Sequence, residues 1–258
     1  MRVATWNVNG IRAREAQVLA WLEQDRPDVA CLQEIKAGAS QVPPSLTGVP
    51  GYWSFWHGSK GYSGVALLVS KELCSNAPVF IHPAFDLENR IVTALIGEIT
   101  IASVYVPNGG KDFPCKMRFL AALEQYVAGF AATQDALIVC GDINVARAEI
   151  DVHPKERKRV IGQLPEERTQ FEQILDAGAV DVARTLDPEN DGLFTWWAPW
   201  RQMRERNIGW RLDYVLASPA LAKSAKSCVT RRETGTSDHA PVIAEFGVSV
   251  PRTCACSE

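Results

Sequence analysis

Residues able to do chemistry stand where short apolar runs stop. Asn7 follows Val3–Trp6, Gln33 and Glu34 follow Val29–Leu32, and Tyr105 closes the run that starts at Ile99. Gly141-Asp142-Ile143-Asn144 follows Ala136–Cys140, Asp213 lies within Leu212–Ala217, and Ser237-Asp238-His239 precedes Val242–Phe246. Gathered on one face, Glu34, Asp142, Asp213 and Asp238 would repel one another unless a cation sat among them. Oxygen donors without neighbouring thiolates select a hard ion, Mg²⁺ or Mn²⁺ rather than zinc. Such an ion is the usual partner of phosphate oxygens, which points to phosphoryl transfer or hydrolysis. His239 adds a group that hydrogen-bonds or carries a proton near neutral pH. No G-x-S-x-G elbow, G-x-x-x-x-G-K-[ST] loop or G-x-G-x-x-G fingerprint competes. The expected attacking group is therefore water, activated by one carboxylate and the metal, with no organic cofactor.

Each position also has a plainer explanation, because strand ends meet turns and Asp and Asn favour turns whatever the function. Six strand ends that all carry a carboxylate, amide, phenol or imidazole argue for one shared face. The runs that must position them, together with Val65–Val69 and Ile91–Ile96, are strand-sized and rich in β-branched residues. Three stretches have helical spacing instead: Val18, Leu19 and Leu22; Leu120, Leu123, Val127 and Phe130; and Phe171, Ile174, Leu175 and Gly178. Many strands and few helices predict an α/β fold of packed sheets with helices outside. No repeat, low-complexity block or long linker divides the chain, so residues 1–258 read as one domain with 247–258 as a flexible tail.

With 47% hydrophobic and 22% charged residues over 258 positions, the composition excludes a disordered or fibrous chain. No apolar run reaches the ~18 residues of a membrane span, so no membrane partner is expected. The formal charge of −3, taken alone, argues against a nucleic-acid partner, since a phosphate backbone wants an electropositive face. Seven scattered cysteines without a C-x-x-C pair fit a reducing compartment, and no signal-peptide core opens the chain. The expectation is a cytoplasmic monomer, close to the nucleoid if the source is bacterial. Cys254 and Cys256 could bind a metal, although a frayed terminus is the simpler reading.

The motifs Trp6-Asn7-Val8-Asn9-Gly10, Leu32-Gln33-Glu34-Ile35-Lys36, Gly61-Tyr62-Ser63-Gly64, Tyr105-Val106-Pro107-Asn108-Gly109, Gly141-Asp142-Ile143-Asn144, Gly209-Trp210-Arg211-Leu212-Asp213-Tyr214 and Ser237-Asp238-His239-Ala240-Pro241 have a resemblance in common. In that order they resemble the exonuclease III family of abasic-site endonucleases, within the endonuclease/exonuclease/phosphatase superfamily. The resemblance implies a four-layered α/β sandwich of two mainly antiparallel sheets. It also implies Mg²⁺-dependent hydrolysis of the phosphodiester 5′ to an abasic site in double-stranded DNA, leaving a 3′-hydroxyl and a 5′-deoxyribose phosphate. Exonuclease and 3′-phosphatase side activities are further implications. Glu34 would be the main metal ligand, with Asn7 and Asp238 close by. Asp142 would position or deprotonate the water as an unpaired base, and Asn144 would orient water or phosphate. Tyr105 and His239 would contact phosphate oxygens, with Asp213 orienting His239.

The resemblance further places Trp196, Trp210 and Leu212 around an apolar slot for a flipped, base-less sugar, whereas Trp197 reads as core. Relatives often carry Phe at the position of Trp196. Arg12, Lys36, Tyr62, Asn108 and Lys111 match positions that touch DNA, and Lys111 stands where some relatives place an Arg that enters the groove. Arg157 and Lys158, in the basic run from Lys155, and Arg211, before Leu212, are expected to hold the phosphate backbone, though charge runs are also ordinary solvated surface. Two other readings stay open: the same fold and metal acting on a lipid or inositol phosphate, and a catalytically dead DNA- or protein-binding module. Setting the four site carboxylates aside leaves 26 acids against 27 bases, so the net acidity is concentrated where a cation would neutralise it.

Overall fold

A computed structural model describes residues 1–248 of the chain. The strands are β1 (Arg2–Asn7), β2 (Val29–Gln33), β3 (Tyr52–Ser59), β4 (Tyr62–Ser70), β5 (Phe80–Ile81), β6 (Ile91–Ile96), β7 (Ile99–Tyr105), β8 (Ala136–Asp142), β9 (Val180–Asp181), β10 (Asp213–Ala217), β11 (Ala225–Thr230) and β12 (Val242–Phe246). The helices are α1 (Glu15–Asp25), α2 (Pro44–Thr47), α3 (Phe113–Thr133), α4 (Pro165–Asp176), α5 (Val182–Leu186) and α6 (Pro219–Ala222).

Each sheet has six strands, ordered β11-β12-β1-β2-β4-β3 and β5-β6-β7-β8-β10-β9. Each contains one parallel pair, β1 with β2 and β7 with β8, and is otherwise antiparallel. The parallel pairs are joined by the longest early helices, α1 and α3, because parallel neighbours need a crossover. As a result Asn7 and Gln33 end adjacent strands of one sheet in register, and Tyr105 and Asp142 do the same in the other. Asp213 opens β10 and pairs with Asp142. Polar residues at strand ends thus meet because the topology aligns the carboxyl ends of the parallel strands.

Alternation along the strands builds the layers. Val3, Cys31, Leu67, Ile101, Cys140 and Val215 fill the space between the sheets. The outer face of the first sheet packs Ala4, Leu32 and Leu68 under Val18, Trp21 and Leu22 of α1. That of the second packs Ala102, Val139 and Leu216 under Leu120, Leu123, Phe171 and Ile174. The sandwich therefore has four layers, as the resemblance implied. One buried polar link crosses it: Gln33 accepts from Thr5 at 3.0 Å and donates to Ser103 at 3.0 Å. At Gly141, which sits one residue before Asp142 with φ +155°, a Cβ would run into the Val104 carbonyl, so only glycine allows this approach of β8 to β7.

The three helical stripes lie on α1, α3 and α4, but Gly178 falls outside α4, which ends at Asp176. Its φ of +126° belongs to the turn beyond. Strands β3 and β11 are sheet edges whose residues are half-buried or exposed, which is why they carry no buried apolar run. Residues 247 and 248, expected in the tail, are tied to the sandwich. Gly247 donates to the Ser224 carbonyl at 2.7 Å and the Met1 ammonium donates to the Val248 carbonyl at 3.3 Å, while the rest of that tail, with Cys254 and Cys256, lies outside the described residues. No described helix is long and apolar enough to cross a membrane.

Candidate active site

Where the two sheets present their aligned strand ends, a cavity of about 370 Å³ opens, lined by Glu34, Tyr105, Asp142, Asn144, Asp238 and His239 on one side and by Trp196, Trp210 and Leu212 on another. Two loops complete it. Ser237 donates to the Asn7 carbonyl at 2.7 Å and the Trp6 indole donates to the His239 carbonyl at 3.2 Å, which pins residues 237–239 to the end of β1. Bridges between Trp196 and both Trp210 and His239 bring the tryptophan segment alongside.

Asp142 is 1% exposed. Its Oδ1 accepts from the Asn144 backbone N–H at 2.9 Å, and its Oδ2 accepts from the Asn7 amide at 2.9 Å and the Asn144 amide at 3.3 Å. The expected unpaired base is thus held by neutral amides, with His239 Nε2 at 3.8 Å. Burial pushes its carboxyl up to about 7, with His239 opposing and Asp213 and Glu34 adding to the rise. His239 Nδ1 lies 2.8 Å from Asp213 Oδ2. Burial works against the imidazolium, but Asp213 and then Asp142 overcome it and raise His239 to about 10. Asp213 therefore fixes both the orientation and the charge of His239.

Glu34 Oε1 accepts from the Tyr105 hydroxyl at 2.8 Å and the Asn7 amide at 3.1 Å, and Oε2 pairs with Lys36 Nζ at 2.7 Å. Burial alone would raise this carboxyl, but the Lys36 ammonium holds it below its usual value. Burial, Glu34 and Asp142 together drive the Tyr105 phenol upward, so it stands in the site as a neutral O–H donor. Asp238 accepts from the Asn9 amide at 2.8 Å and the Trp196 indole at 2.9 Å. Against the cost of burial, His239 and these donors hold it below its usual value.

This donor set fits a hard divalent ion. Lys36 meets Glu34 and His239 meets Asp213, while Asp238 is held by neutral donors, so negative charge remains at the cavity. Ligand atoms of Asp142, Asp213 and His239 lie within 4.8 Å of one another and could hold a metal. Asp213 and His239 are first of all a hydrogen-bonded ion pair with Asp142 3.8 Å beyond it, and a protonated imidazole has no lone pair to offer.

The rings of Trp196 and Trp210 meet edge to face at 5.3 Å, and Leu212 packs with them. Trp197 is core, 1% exposed, as its sequence reading held. Arg12, Tyr62, Asn108, Lys111, Arg157 and Lys158 are exposed, and of these Asn108 lines the cavity. Lys36 sits inside the site on Glu34 and on Asn9 Oδ1, at 2.6 Å. Arg211 is a correction. It is 2% exposed and closes on Asp151 at 2.8 Å and Asp181 at 2.6 Å, so it braces the segment from behind and has no free face for a phosphate.

Asn9, Arg90 and Gly162 are the site residues that sequence reasoning missed. Asn9 carries Lys36 and Asp238, and Gly162 abuts Trp210. Arg90 lies over the rings of Tyr105 at 4.8 Å and Tyr62 at 5.4 Å. Asn9, Glu34, Lys36 and Asn144 all have left-handed backbone, at φ 45°, 50°, 50° and 56°. Such strain gathers at functional sites, and only the two Asn residues, which tolerate this region, hint at it in sequence.

Comparisons with known proteins agree with this geometry. A model of the Endonuclease/Exonuclease/phosphatase family matches residues 4–239. The DNA repair nuclease APEX1 of Danio rerio is 35% identical over 251 residues, 94% of this chain and 81% of that protein. Among solved structures, an AP endonuclease from Archaeoglobus fulgidus superposes with a TM-score of 0.86 at 31% identity, covering 96% of this chain and 100% of the other. A 3′ phosphatase, NExo, from Neisseria, bound to product DNA hairpin, gives 0.86 at 32% identity over the same shares.

Proposed function

The chain belongs to the endonuclease/exonuclease/phosphatase family, and from that membership we propose that it is a Mg²⁺-dependent abasic-site endonuclease acting on double-stranded DNA. The observation that carries the substrate is one cavity lined by a polar wall, Glu34, Asp142 and His239, and by an apolar wall, Trp196, Trp210 and Leu212. A phosphodiester needs the first wall and a base-less sugar needs the second. A flipped nucleotide with its base attached would be too bulky for the slot, and extrusion costs least where pairing is already lost.

In the proposed reaction a water oxygen bonds to the phosphorus 5′ to the abasic site, and the bond from phosphorus to the upstream O3′ breaks. The departing O3′ takes a proton from solvent water and the upstream strand leaves with a 3′-hydroxyl, while the phosphate stays on the abasic sugar. Asp142, near 7, takes the water's proton, a value close to the working pH of a general base. Protonated His239, aligned by Asp213, donates to a phosphate oxygen, and Asn144 orients the water or the phosphate. Tyr105 keeps its proton and directs it to Glu34 or to a phosphate oxygen. Glu34 would hold the metal with Asn7 and Asp238 beside it. The ion supplies neutralisation of the charge that grows on the phosphate.

Exposed Lys158 and Arg201 share a groove with Lys155, Arg206 and Trp200, a surface suited to backbone phosphates on one flank, while Arg12, Tyr62, Asn108 and Lys111 serve the other. The same wall supports 3′-phosphatase and exonuclease side activities, since both need only a terminal phosphate ester. The test is a duplex carrying one tetrahydrofuran abasic analogue, incubated with Mg²⁺ or EDTA. A metal-dependent nick 5′ to the analogue is expected. No nick, with hydrolysis of an inositol phosphate instead, would replace this reading by a lipid-phosphatase one.

A further inference from the structure

We propose a second metal site, for a divalent ion of the zinc class, built from His57, His82 and Asp86 where the edges of the two sheets meet. His57 lies on β3, the edge of the first sheet, and His82 lies one residue beyond β5, the edge of the second. One ligand atom from each of the three residues falls within 4.8 Å of the others. His57 Nε2 is 2.5 Å from Asp86 Oδ2, and the two imidazoles stack at 3.9 Å with planes 22° apart. None of the three lines the catalytic cavity.

The atoms that would not face the ion are already engaged, which is how metal ligands are commonly oriented. Asp86 Oδ1 accepts from the backbone N–H groups of Arg90 at 2.7 Å and Ile91 at 3.1 Å, so Oδ2 is the oxygen turned to His57 Nε2, and an ion between them would replace that hydrogen bond. His57 Nδ1 lies 3.4 Å from the Asn89 amide nitrogen. Phe55, whose ring is 5.4 Å from His82 and 5.0 Å from Phe80, forms an apolar wall.

Two imidazole nitrogens and one carboxylate oxygen suit zinc, whereas Mg²⁺ prefers an all-oxygen shell. His82 is the exposed member. Its ring has room to tilt out of the stack towards the ion, and the fourth position opens to solvent. Bound there, the ion clasps β3 to the segment after β5, a junction otherwise spanned by the Phe55–Phe80 stack, and stabilises the fold by mass action.

The test uses the full chain, stripped with chelator and then kept in millimolar Mg²⁺ so that the catalytic carboxylates are occupied. Equilibrium dialysis against micromolar zinc should find one bound equivalent, and zinc should raise the melting temperature. His82→Ala should weaken that binding on the order of tenfold or more, since loss of even an outer partner costs 10–100-fold, and should abolish the thermal shift. Cys254→Ser with Cys256→Ser should leave it intact. Cobalt in the wild-type protein should give a ligand-field spectrum without thiolate charge transfer, a readout that needs no variant. No bound zinc, unchanged affinity in His82→Ala, or a thiolate band would each overturn the proposal.

Discussion

Lys116 and Glu167 form an ion pair in which both side chains are fully buried, directly behind the catalytic cavity. Lys116 Nζ also donates to the carbonyls of Asn144 at 2.7 Å and Asn108 at 3.2 Å, and Glu167 Oε2 accepts from the N–H groups of Gly162 at 2.7 Å and Leu164 at 2.9 Å. One pair therefore ties together three turns that line the site. Burial lowers the basicity of Lys116 and Glu167 restores part of it.

Removing one member leaves an uncompensated charge inside the protein. Lys116→Met should destabilise the fold by about 3–5 kcal/mol, read as a lower urea midpoint. Lys116→Met with Glu167→Leu should recover most of that stability yet leave cleavage slow, because the Asn144 and Gly162 turns lose their common anchor. Full recovery of both would show that the pair serves packing alone.

Asp142→Asn keeps the size of the side chain but removes the proton acceptor. The turnover number should fall on the order of 10²-fold or more, while affinity for abasic duplex, measured without turnover, stays within a few-fold of wild type. A variant that loses binding and turnover together would assign Asp142 to holding the substrate.

Trp210 meets Trp196 edge to face and abuts Gly162. Trp210→Ala should widen the slot and reduce the preference for abasic over intact duplex in competition cleavage. Unchanged preference would make this ring a packing element only.

The Asp181 carboxyl lies below its ordinary value of 3.8: burial opposes this, and Arg211 overcomes it. A depressed folded-state value contributes stability that is fully present above about 3.8 and is lost as pH falls through the lower folded value. Thermal melts of the wild type should therefore lose this contribution only below that point. Asp181→Asn should melt lower at neutral pH and show a shallower acid limb. An unchanged limb would remove Asp181 from the acid response.

Much of the site was legible because strand ends are visible in sequence. Asn7, Glu34, Tyr105, Asp142 and Asp213 stop or start apolar runs, and the ordered motifs around them identify the fold. Arg211 shows where that reading failed. A basic residue beside the slot looked like a phosphate contact, and the buried carboxylates of Asp151 and Asp181 that claim it lie 60 and 30 positions away. Lys116 and Glu167 were invisible for the same reason, as charged residues in helical segments that look like solvated surface until two helices pack.

The net charge of −3 was the least informative number, because an average conceals segregation. By itself the sequence determined the residue chemistry, the strand periodicity and the family. These are local or ordered along the chain, and hydrophobic alternation and motif order encode them directly. Only the tertiary structure decided which oxygen of Glu34 takes Lys36, why Asp142 holds its proton to about 7 and His239 to about 10, and that His57 faces His82. Proton affinities and metal geometries depend on distances of a few ångströms between residues far apart in the chain, and those distances exist only once the two sheets have packed.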